Sequence, residues 1–226
     1  RPLANLLKVS EPSSRGALII GANHVARAIG LKLQDNGFTV LLADSNYDHV
    51  SEARLAGLPT FYGNPVSEYA DRKLDLTGLG RMLGISAKRE ENVITSLRYR
   101  HTFGRDNIFA LKTNREAIAK EKESISHAHK GQFIGSDTLN FADVSKILKT
   151  GGKLKTTELS EEYNYESFVA GKTDQTIPLF AIDLKEHLRV FNEGGELSPK
   201  AGWKIISLEK AEQPQVPAPK QPALPE

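Results

Sequence analysis

The residues with the clearest chemical pattern stand directly after a short apolar run at positions 17–20. They are Gly21, Ala22, Asn23, His24, Val25 and Ala26, and they open an amphipathic stretch. Apolar strand, glycine loop and helix form the order of the dinucleotide fingerprint GxGxxG, in which a helix N-terminus faces a pyrophosphate. Gly21 matches the first glycine, Asn23 replaces the second and Ala26 the third. The segment therefore predicts a phosphate loop, in which Asn23 could donate a hydrogen bond to the phosphates or crowd them out.

An acidic residue stands where this fingerprint requires one. Asp44 follows the next apolar run, 38–43, about 20 residues after the loop. A carboxylate there accepts hydrogen bonds from the ribose hydroxyls of NAD or another adenosine nucleotide and repels a 2′-phosphate. Ser45 and Asn46 follow it instead of an arginine, so we favour these ligands over NADP. The alternative interpretation is that Gly21 only turns the chain and Asp44 caps a helix.

Two further segments are expected at the same edge of a sheet. Tyr62, Gly63, Asn64 and Pro65 follow a third short strand, and they form either a plain turn or a turn whose backbone could meet an adenine ring. Ser86 follows the fourth predicted strand, where it could contact a ligand or cap a helix.

The elements that must position these residues alternate along the chain. Strands are predicted at 17–20, 38–43, 60–62, 81–85 and 107–111, with helices after the first, second and fourth of them. The helix at 90–103 is expected to turn Val93, Ile94 and Leu97 inward. Strands interleaved with helices pair in parallel through right-handed crossovers. We therefore predict an α/β fold, with a Rossmann-like doubly wound parallel sheet over 16–112 and a small, mainly β (α+β) domain after it.

The rest of the chain divides by composition. Residues 113–130 are polar and helix-prone and are expected to form a connecting helix. Residues 131–210 form the separate β-rich domain, with one short helix and strands at 153–159, 177–182, 188–191 and 203–208. Residues 211–226 hold five of the eleven prolines and no aromatic residue, so we expect a disordered Pro-rich tail.

Composition excludes several classes of function. The formal charge of +2, from 30 basic and 28 acidic residues, lacks the basic excess used in binding nucleic acid, so no such partner is expected. The longest apolar runs fall far short of the roughly 18–20 residues of a membrane span. The absence of cysteine excludes thiolate metal sites and cysteine nucleophiles. The chain begins with Arg1 rather than Met, so we expect a piece of a longer polypeptide.

The groups needed for catalysis are not found. Hydride transfer needs a proton donor and a second wall for the substrate. Tyr69 and Lys73 form the YxxxK pair of short-chain dehydrogenases, but they precede the fourth strand. His127 and His129 form an HxH on a polar stretch without a third ligand nearby. We therefore predict no catalytic residue and no metal site.

Residues 16–26, Asp44, residues 62–65 and residues 80–86 together resemble the nucleotide-binding RCK domain of the TrkA-N type. More narrowly, the chain resembles the version at the C-terminus of bacterial sodium/proton antiporters of the monovalent cation:proton antiporter-1 family. Residues 1–4 look like the segment that leaves the last membrane helix of these antiporters, and residues 97–106 are also similar to theirs. The resemblance covers about residues 1–210.

This resemblance implies a regulatory domain at the cytoplasmic face of the bacterial inner membrane. Such a domain binds NAD(H) or an adenine nucleotide (AMP, ADP or ATP) and forms a homodimer. It passes its bound state through a linker, residues 1–15, to the N-terminal transmembrane transporter domain of the same polypeptide.

The resemblance also implies roles for individual residues. It assigns the phosphate loop to Gly21, Asn23, His24, Val25 and Ala26. It assigns the ribose contact to Asp44 and Ser45, the base-side contact to Gly63, Asn64 and Pro65, and the closing of the crevice to Ile85 and Ser86.

The chain departs from the RCK pattern at Asn23, Ala26 and Asn64, since that pattern usually has GxGxxG and an aspartate after the glycine of strand three. Two alternatives therefore stay open. One is a non-binding dimerisation or assembly domain in which Asn23 closes the nucleotide site. The other is a fragment of an NAD-dependent oxidoreductase.

Overall fold

A computed structural model describes residues 15–114, 132–136, 138–171, 176–192, 195 and 197–211. The predicted linker at 1–15, connecting helix at 113–130 and tail at 211–226 lie mostly outside these residues, as do His127 and His129. None of the helices in the described ranges combines the length and apolar character of a membrane span.

The first sheet is parallel throughout. Its strands are β1 (Gly16–Ile20), β2 (Val40–Asp44), β3 (Thr60–Tyr62), β4 (Leu79–Gly84), β5 (Ile108–Ala110) and β6 (Gln132–Phe133). They lie in the order β3, β2, β1, β4, β5, β6, and every neighbouring pair is parallel. The order reverses between β1 and β4, so the sheet is doubly wound with a switch point there. The predicted fold class is confirmed.

Helices cover both faces of this sheet. They are α1 (His24–Asp35), α2 (Tyr47–Leu55), α3 (Glu68–Lys73) and α4 (Arg89–Phe103). Alternate residues of β1 serve the two layers, because successive side chains of a strand point to opposite faces. Ala17 and Ile19 pack in a cluster with α1 and α2, whereas Leu18 and Ile20 pack in a cluster with α3 and α4.

A second, antiparallel sheet packs against the α1 side of the first. Its strands β7 (Lys153–Glu158), β8 (Thr176–Ile182), β9 (Leu188–Val190) and β10 (Lys204–Glu209) lie in the order β7, β10, β8, β9. Helix α5 (Phe141–Lys149) precedes this sheet and α6 (Tyr165–Ala170) lies within it in the chain. Ile29 and Leu33 of α1 share one buried cluster with Val144 and Ile147 of α5. The two sheets therefore contribute to one hydrophobic core.

Three short elements differ from the sequence expectation. Gln132–Phe133, which we expected in the second domain, pairs with β5 as the sixth strand of the first sheet. Helices α3 and α6 were not predicted. Each of these elements has at most six residues, which is too short for an apolar period to show.

Helix α4 turns a largely polar face toward the sheet. The prediction that its apolar residues face inward is wrong for Ile94 and Leu97, which are 51% and 40% exposed. The residues it buries are instead Asn92, Thr95, Ser96, Tyr99 and Phe103. The side chain of Asn92 accepts a hydrogen bond from the Ser86 amide at 3.1 Å and donates one to the Ser86 carbonyl at 2.8 Å. These bonds fix the rotation of α4 about its own axis.

The shared core predicts the effect of a truncation in α1. Leu33 is buried in the cluster that joins both sheets, so Leu33→Ala should lower the free energy of unfolding by about 2–5 kcal/mol. The matched control is Leu55→Ala in α2, where the side chain is 86% exposed and the change should stay within about 0.5 kcal/mol. Urea unfolding followed by circular dichroism measures both, and equal midpoints for the two variants would contradict the shared core.

Candidate functional site

The carboxyl ends of β1 to β4 meet at one edge of the parallel sheet. Ile20 at the end of β1 pairs with Ala43 of β2 on one side and with Gly84 of β4 on the other. Asp44 pairs with Tyr62, where β2 and β3 end. The structure thus brings the loop after β1, Asp44, residues 62–65 and residues 85–86 to the same edge, at the switch point where doubly wound sheets bind ligands.

Gly21 makes the turn that leads from β1 into this edge. Its φ of +101° lies in the region that favours glycine, and its amide donates to the Ala43 carbonyl at 2.8 Å. A Cβ at this position would stand 3.1 Å from the Ile85 carbonyl oxygen. The first glycine of the fingerprint is therefore required by the local backbone, whether or not a ligand binds.

Asn23 caps the N-terminus of α1. Its φ is −63°, so the second fingerprint position needs no glycine here for conformational reasons. Its side-chain oxygen accepts hydrogen bonds from the amides of Val25 at 3.0 Å and Ala26 at 3.1 Å. Its Nδ2 donates to the Ile85 carbonyl at 2.8 Å. The buried Asn23 side chain thus occupies two helix amides of the kind that bind phosphate at a helix N-terminus.

Asp44 ties the loop after β1 to the start of α2. Its Oδ2 accepts from the Ala22 amide at 2.8 Å, and its Oδ1 accepts from the Asn46 amide at 2.8 Å. The Nδ1 of His49 lies 2.9 Å from Oδ2. A carboxylate has about four acceptor positions, so these contacts leave one for a ribose hydroxyl. Ser45, the other predicted ribose contact, is exposed beside it.

The turn after β3 is held by hydrogen bonds within itself and to its neighbours in the fold. Gly63 has φ +147° and donates its amide to the Asp44 carbonyl at 2.9 Å. The Asn64 side chain accepts from the Val66 amide at 3.1 Å. The Pro65 carbonyl accepts from the Tyr99 hydroxyl at 2.5 Å. These bonds place the turn next to Asp44.

Two tyrosines present their rings to solvent beside Asp44. Tyr47 is the first residue of α2 and Tyr62 is the last of β3, and they are 62% and 49% exposed. Their ring centroids lie 5.7 Å apart in an edge-to-face arrangement. Exposed aromatic faces can stack on a planar base. Sequence reasoning missed Tyr47, although its position directly after the cap residue Asn46 was a usable signal.

The β4 side of the edge is fully engaged with protein. Ile85 and Ser86 are buried. The Ser86 hydroxyl donates to Glu91 Oε2 at 2.5 Å and accepts from the Lys88 amide at 3.1 Å. The Ser86 amide and carbonyl are both bonded to the side chain of Asn92. Ser86 is therefore tied to Lys88, the N-cap residue of α4, and to Glu91 in the first turn, although α4 has no side-chain cap of its own.

A cavity of about 560 Å³, which we call the basic pocket, adjoins the Asp44 side of the edge. It is lined by His24, Arg27, Ala28, His49, Glu52, Leu148 and Lys149. His24 Nε2 lies 2.9 Å from the Ser145 hydroxyl of α5, and Arg27 pairs with Glu52 at 2.6 Å. Burial lowers the pKa of His24, and the positive charges of Lys149 and Arg27 lower it further.

Sequence reasoning did not find this pocket. Arg27 stands three residues after His24 on a predicted helix, so their common face was a usable signal. Lys149 comes from α5, more than a hundred positions away in the chain, and reaches the pocket only because α5 packs on α1.

Residues 17–130 match the family described as TrkA-N domain. No curated protein matches the chain. Among solved structures, it is similar to the NAD(P)-binding domain of an exopolyphosphatase-related protein from Archaeoglobus fulgidus, with 19% identity, a TM-score of 0.43 and coverage of 58% of this chain and 92% of that one.

The chain is also similar to two structures of GsuK. The GsuK RCK domain has 15% identity and a TM-score of 0.42, with coverage of 88% of this chain and 45% of that one. The GsuK channel bound to NAD has 14% identity and a TM-score of 0.42, with coverage of 88% and 37%. The chain thus spans less than half of the length of these GsuK chains.

The backbone of the glycine loop predicts a large effect for Gly21→Ala. A left-handed conformation alone costs an alanine about 1–2 kcal/mol. Gly57→Ala isolates this cost, because Gly57 has φ +82° and no atom lies within 4 Å of its added Cβ. Gly21→Ala must also displace the Ile85 carbonyl, so it should lower the free energy of unfolding by more than Gly57→Ala. Denaturant unfolding measures both variants, and equal losses would contradict the required glycine.

Proposed function

This chain belongs to the TrkA-N domain family, and we propose that it is a nucleotide-binding regulatory domain of a sodium(cation)/proton antiporter. Its ligand would be NAD(H) or an adenine nucleotide. The proposed phosphate loop consists of Gly21, Asn23, His24, Val25 and Ala26. The proposed ribose contact is formed by Asp44 and Ser45, and the base-side contact by Gly63, Asn64 and Pro65. The crevice is closed at its other end by Ile85 and Ser86.

The observation that carries the nucleotide part of this proposal is the placement of Asp44. Its carboxylate stands at the end of β2, holds the glycine loop through the Ala22 amide and retains an acceptor position. The exposed rings of Tyr47 and Tyr62 flank it. An acceptor for ribose and aromatic faces for a base are the groups that an adenosine moiety requires at this edge.

A regulatory rather than catalytic role is supported by how α1 is held. His24 at its start is bonded to Ser145 of α5, and Asn36 at its end donates to Thr156 of β7 at 3.0 Å. A ligand that binds one conformation of the glycine loop better than another would therefore shift the arrangement of both sheets together. Such a population shift, passed through residues 1–15, is the mechanism we propose for the control of transport.

The antiporter context is supported by the similarity of residues 1–4 and 97–106 to the corresponding segments of bacterial sodium/proton antiporters. On this proposal the chain lies at the cytoplasmic face of the inner membrane and is covalently joined to an N-terminal transmembrane transporter domain.

A second candidate function is a non-binding assembly domain. The observation that favours it is the Asn23 side chain, which bonds to the Val25 and Ala26 amides and to the Ile85 carbonyl at the place where phosphates would lie. The third possibility, an oxidoreductase fragment, has no comparable support. Tyr69 of its YxxxK pair packs against Phe61 in a tilted arrangement, with the ring centroids 5.8 Å apart.

Thermal unfolding with NAD, NADH, NADP, AMP, ADP and ATP tests the nucleotide proposal. A ligand at about 100 times its dissociation constant should add about 2.7 kcal/mol of stability. The shift should disappear in Asp44→Ala and persist in Asp48→Ala, which removes an exposed acid from the first turn of α2. Each variant is compared with and without ligand, because Asp44→Ala also removes structural hydrogen bonds.

Transport by the full polypeptide in everted membrane vesicles tests the regulatory part. The nucleotide that stabilises the domain should change the initial rate of cation-driven proton movement, and Asp44→Ala should remove that change. An absence of any thermal shift at millimolar nucleotide would contradict the nucleotide proposal and favour the assembly domain.

We further propose that the domain pairs with a second copy of itself through α4. Ile94 and Leu97 form an exposed apolar face on this helix. The first turn of α4 carries Glu90 and Glu91, and the last turn carries Arg100 and His101. In a two-fold symmetric contact the same helix meets its copy, and an antiparallel arrangement sets acidic ends against basic ends.

The double variant Ile94→Asp/Leu97→Asp should weaken this dimer at least about tenfold, because it places like charges in an apolar contact. Leu55→Asp, which changes an exposed leucine on α2, should not. Sedimentation equilibrium measures the association. A monomeric native chain, or a dimer that survives the double variant, would refute the α4 interface.

A further inference from the structure

Asn23 divides the crevice at the switch point into two halves. On one side lie Asp44 and the turn after β3, and on the other lie Ile85 and Ser86 at the end of β4. A dinucleotide bound at such an edge runs across the N-terminus of α1, with one nucleoside on each side. The contacts of Asn23 therefore decide how much of a dinucleotide this chain can accept.

The β4 half is closed by hydrogen bonds within the protein. Asn23 Nδ2 reaches across to the Ile85 carbonyl at 2.8 Å, and its oxygen holds the Val25 and Ala26 amides. The amide, carbonyl and hydroxyl of Ser86 are all bonded to protein groups. A second nucleoside would have to break the Asn23 bridge, and Ser86 would give it no vacant donor in return, because its amide and its hydroxyl hydrogen are both donated to protein groups.

The Asp44 half adjoins the basic pocket through His49. The His49 ring contacts Asp44 Oδ2 at 2.9 Å and also lines this pocket. Only this ring therefore separates the pocket from Asp44, the proposed ribose contact. His24, Arg27 and Lys149 supply positive charge or hydrogen-bond donors around it. The carboxylate of Glu52 also lines it and pairs with Arg27 at 2.6 Å, so Lys149 is the cation on which a phosphate would depend most. Burial is the main cause of the lowered pKa of His24, and the positive charges of Lys149 and Arg27 lower this pKa further. The volume of about 560 Å³ accommodates phosphate groups.

Building on the proposed nucleotide-binding function, we propose that the site takes a nucleoside phosphate with a single base, and that Asn23 excludes the second nucleoside of a dinucleotide. The ribose binds Asp44, the base lies against Tyr47 and Tyr62, and the phosphates turn toward the basic pocket. Asn23 is thus the residue that sets the specificity for a mononucleotide over NAD.

Isothermal titration calorimetry of the native chain with AMP, ADP, ATP and NAD is the first test. The best mononucleotide should bind at least about tenfold more tightly than NAD, a difference of about 1.4 kcal/mol. In Asn23→Gly the affinity for NAD should rise by a similar factor, because the bridge to Ile85 is gone. The variant is expected to fold, since glycine is well tolerated in place of asparagine at a helix cap.

Asn140→Gly is the matched control for the loss of a helix cap. Asn140 caps α5 through the amides of Ala142 at 2.9 Å and Asp143 at 3.1 Å, the same two-bond pattern that Asn23 forms on α1. Its Nδ2 donates to Asp143 of α5 rather than to the end of β4. Asn140→Gly should therefore keep the preference of the native chain for a mononucleotide.

Lys149→Ala tests the direction of the phosphates. It should weaken binding of ATP by about fivefold or more, the effect of losing roughly 1 kcal/mol of charge interaction, and it should weaken AMP less. Lys153→Ala removes an exposed lysine from β7 and should leave both affinities unchanged.

The outcomes separate this inference from the function on which it rests. If NAD binds the native chain as tightly as any mononucleotide, or if Asn23→Gly leaves the affinity for NAD unchanged, the role of Asn23 is refuted while nucleotide binding stands. If Lys149→Ala binds ATP like the native chain, the proposed course of the phosphates is wrong. If no nucleotide binds either the native chain or Asn23→Gly at millimolar concentration, both the inference and the proposed nucleotide function fail.

Discussion

The buried carboxylate of Asp44 is the constraint on which the edge of the sheet depends. An ionised group that leaves bulk water must be met by hydrogen-bond donors, and Asp44 finds them in the amides of Ala22 and Asn46 and in His49. These donors belong to the loop after β1 and to the start of α2, so one side chain fixes both. The turn at Gly21 and the direction in which α1 leaves the sheet follow from it.

The second sheet makes α1 part of a larger body. This helix is bonded to the second unit at both ends, through Ser145 at its start and Thr156 at its end, and it is packed against α5 along its length. A helix held in this way moves with its partners rather than alone. We therefore expect a change at the glycine loop to be felt by α5 and β7, which are the elements in contact with α1.

The sequence predicted what depends on local pattern. Apolar runs and the polar or glycine residues that end them are enough to predict β1, β2 and β3. They also predict the turn at Gly21 and the place of Asp44. The rotation of α4 about its axis could not be predicted from the apolar pattern, because the hydrogen bonds between Asn92 and Ser86 outweigh the preference of Ile94 and Leu97 for burial. The basic pocket also escaped prediction, since it needs residues from α1, α2 and α5 that only tertiary packing brings together.

Asn23 shows why a fingerprint cannot be scored by residue type alone. A helix cap and a bound phosphate use the same first-turn amides, so a ligand that needs these amides must first displace the cap. Losing an asparagine cap costs about 0.5–2 kcal/mol, which corresponds to about 2- to 30-fold in a dissociation constant. This range is large enough to move a sensor from one range of ligand concentration to another, yet small enough to leave the fold unchanged. On the proposed function, the asparagine in place of the second glycine therefore alters which nucleotide the crevice binds and how tightly, without a change of fold.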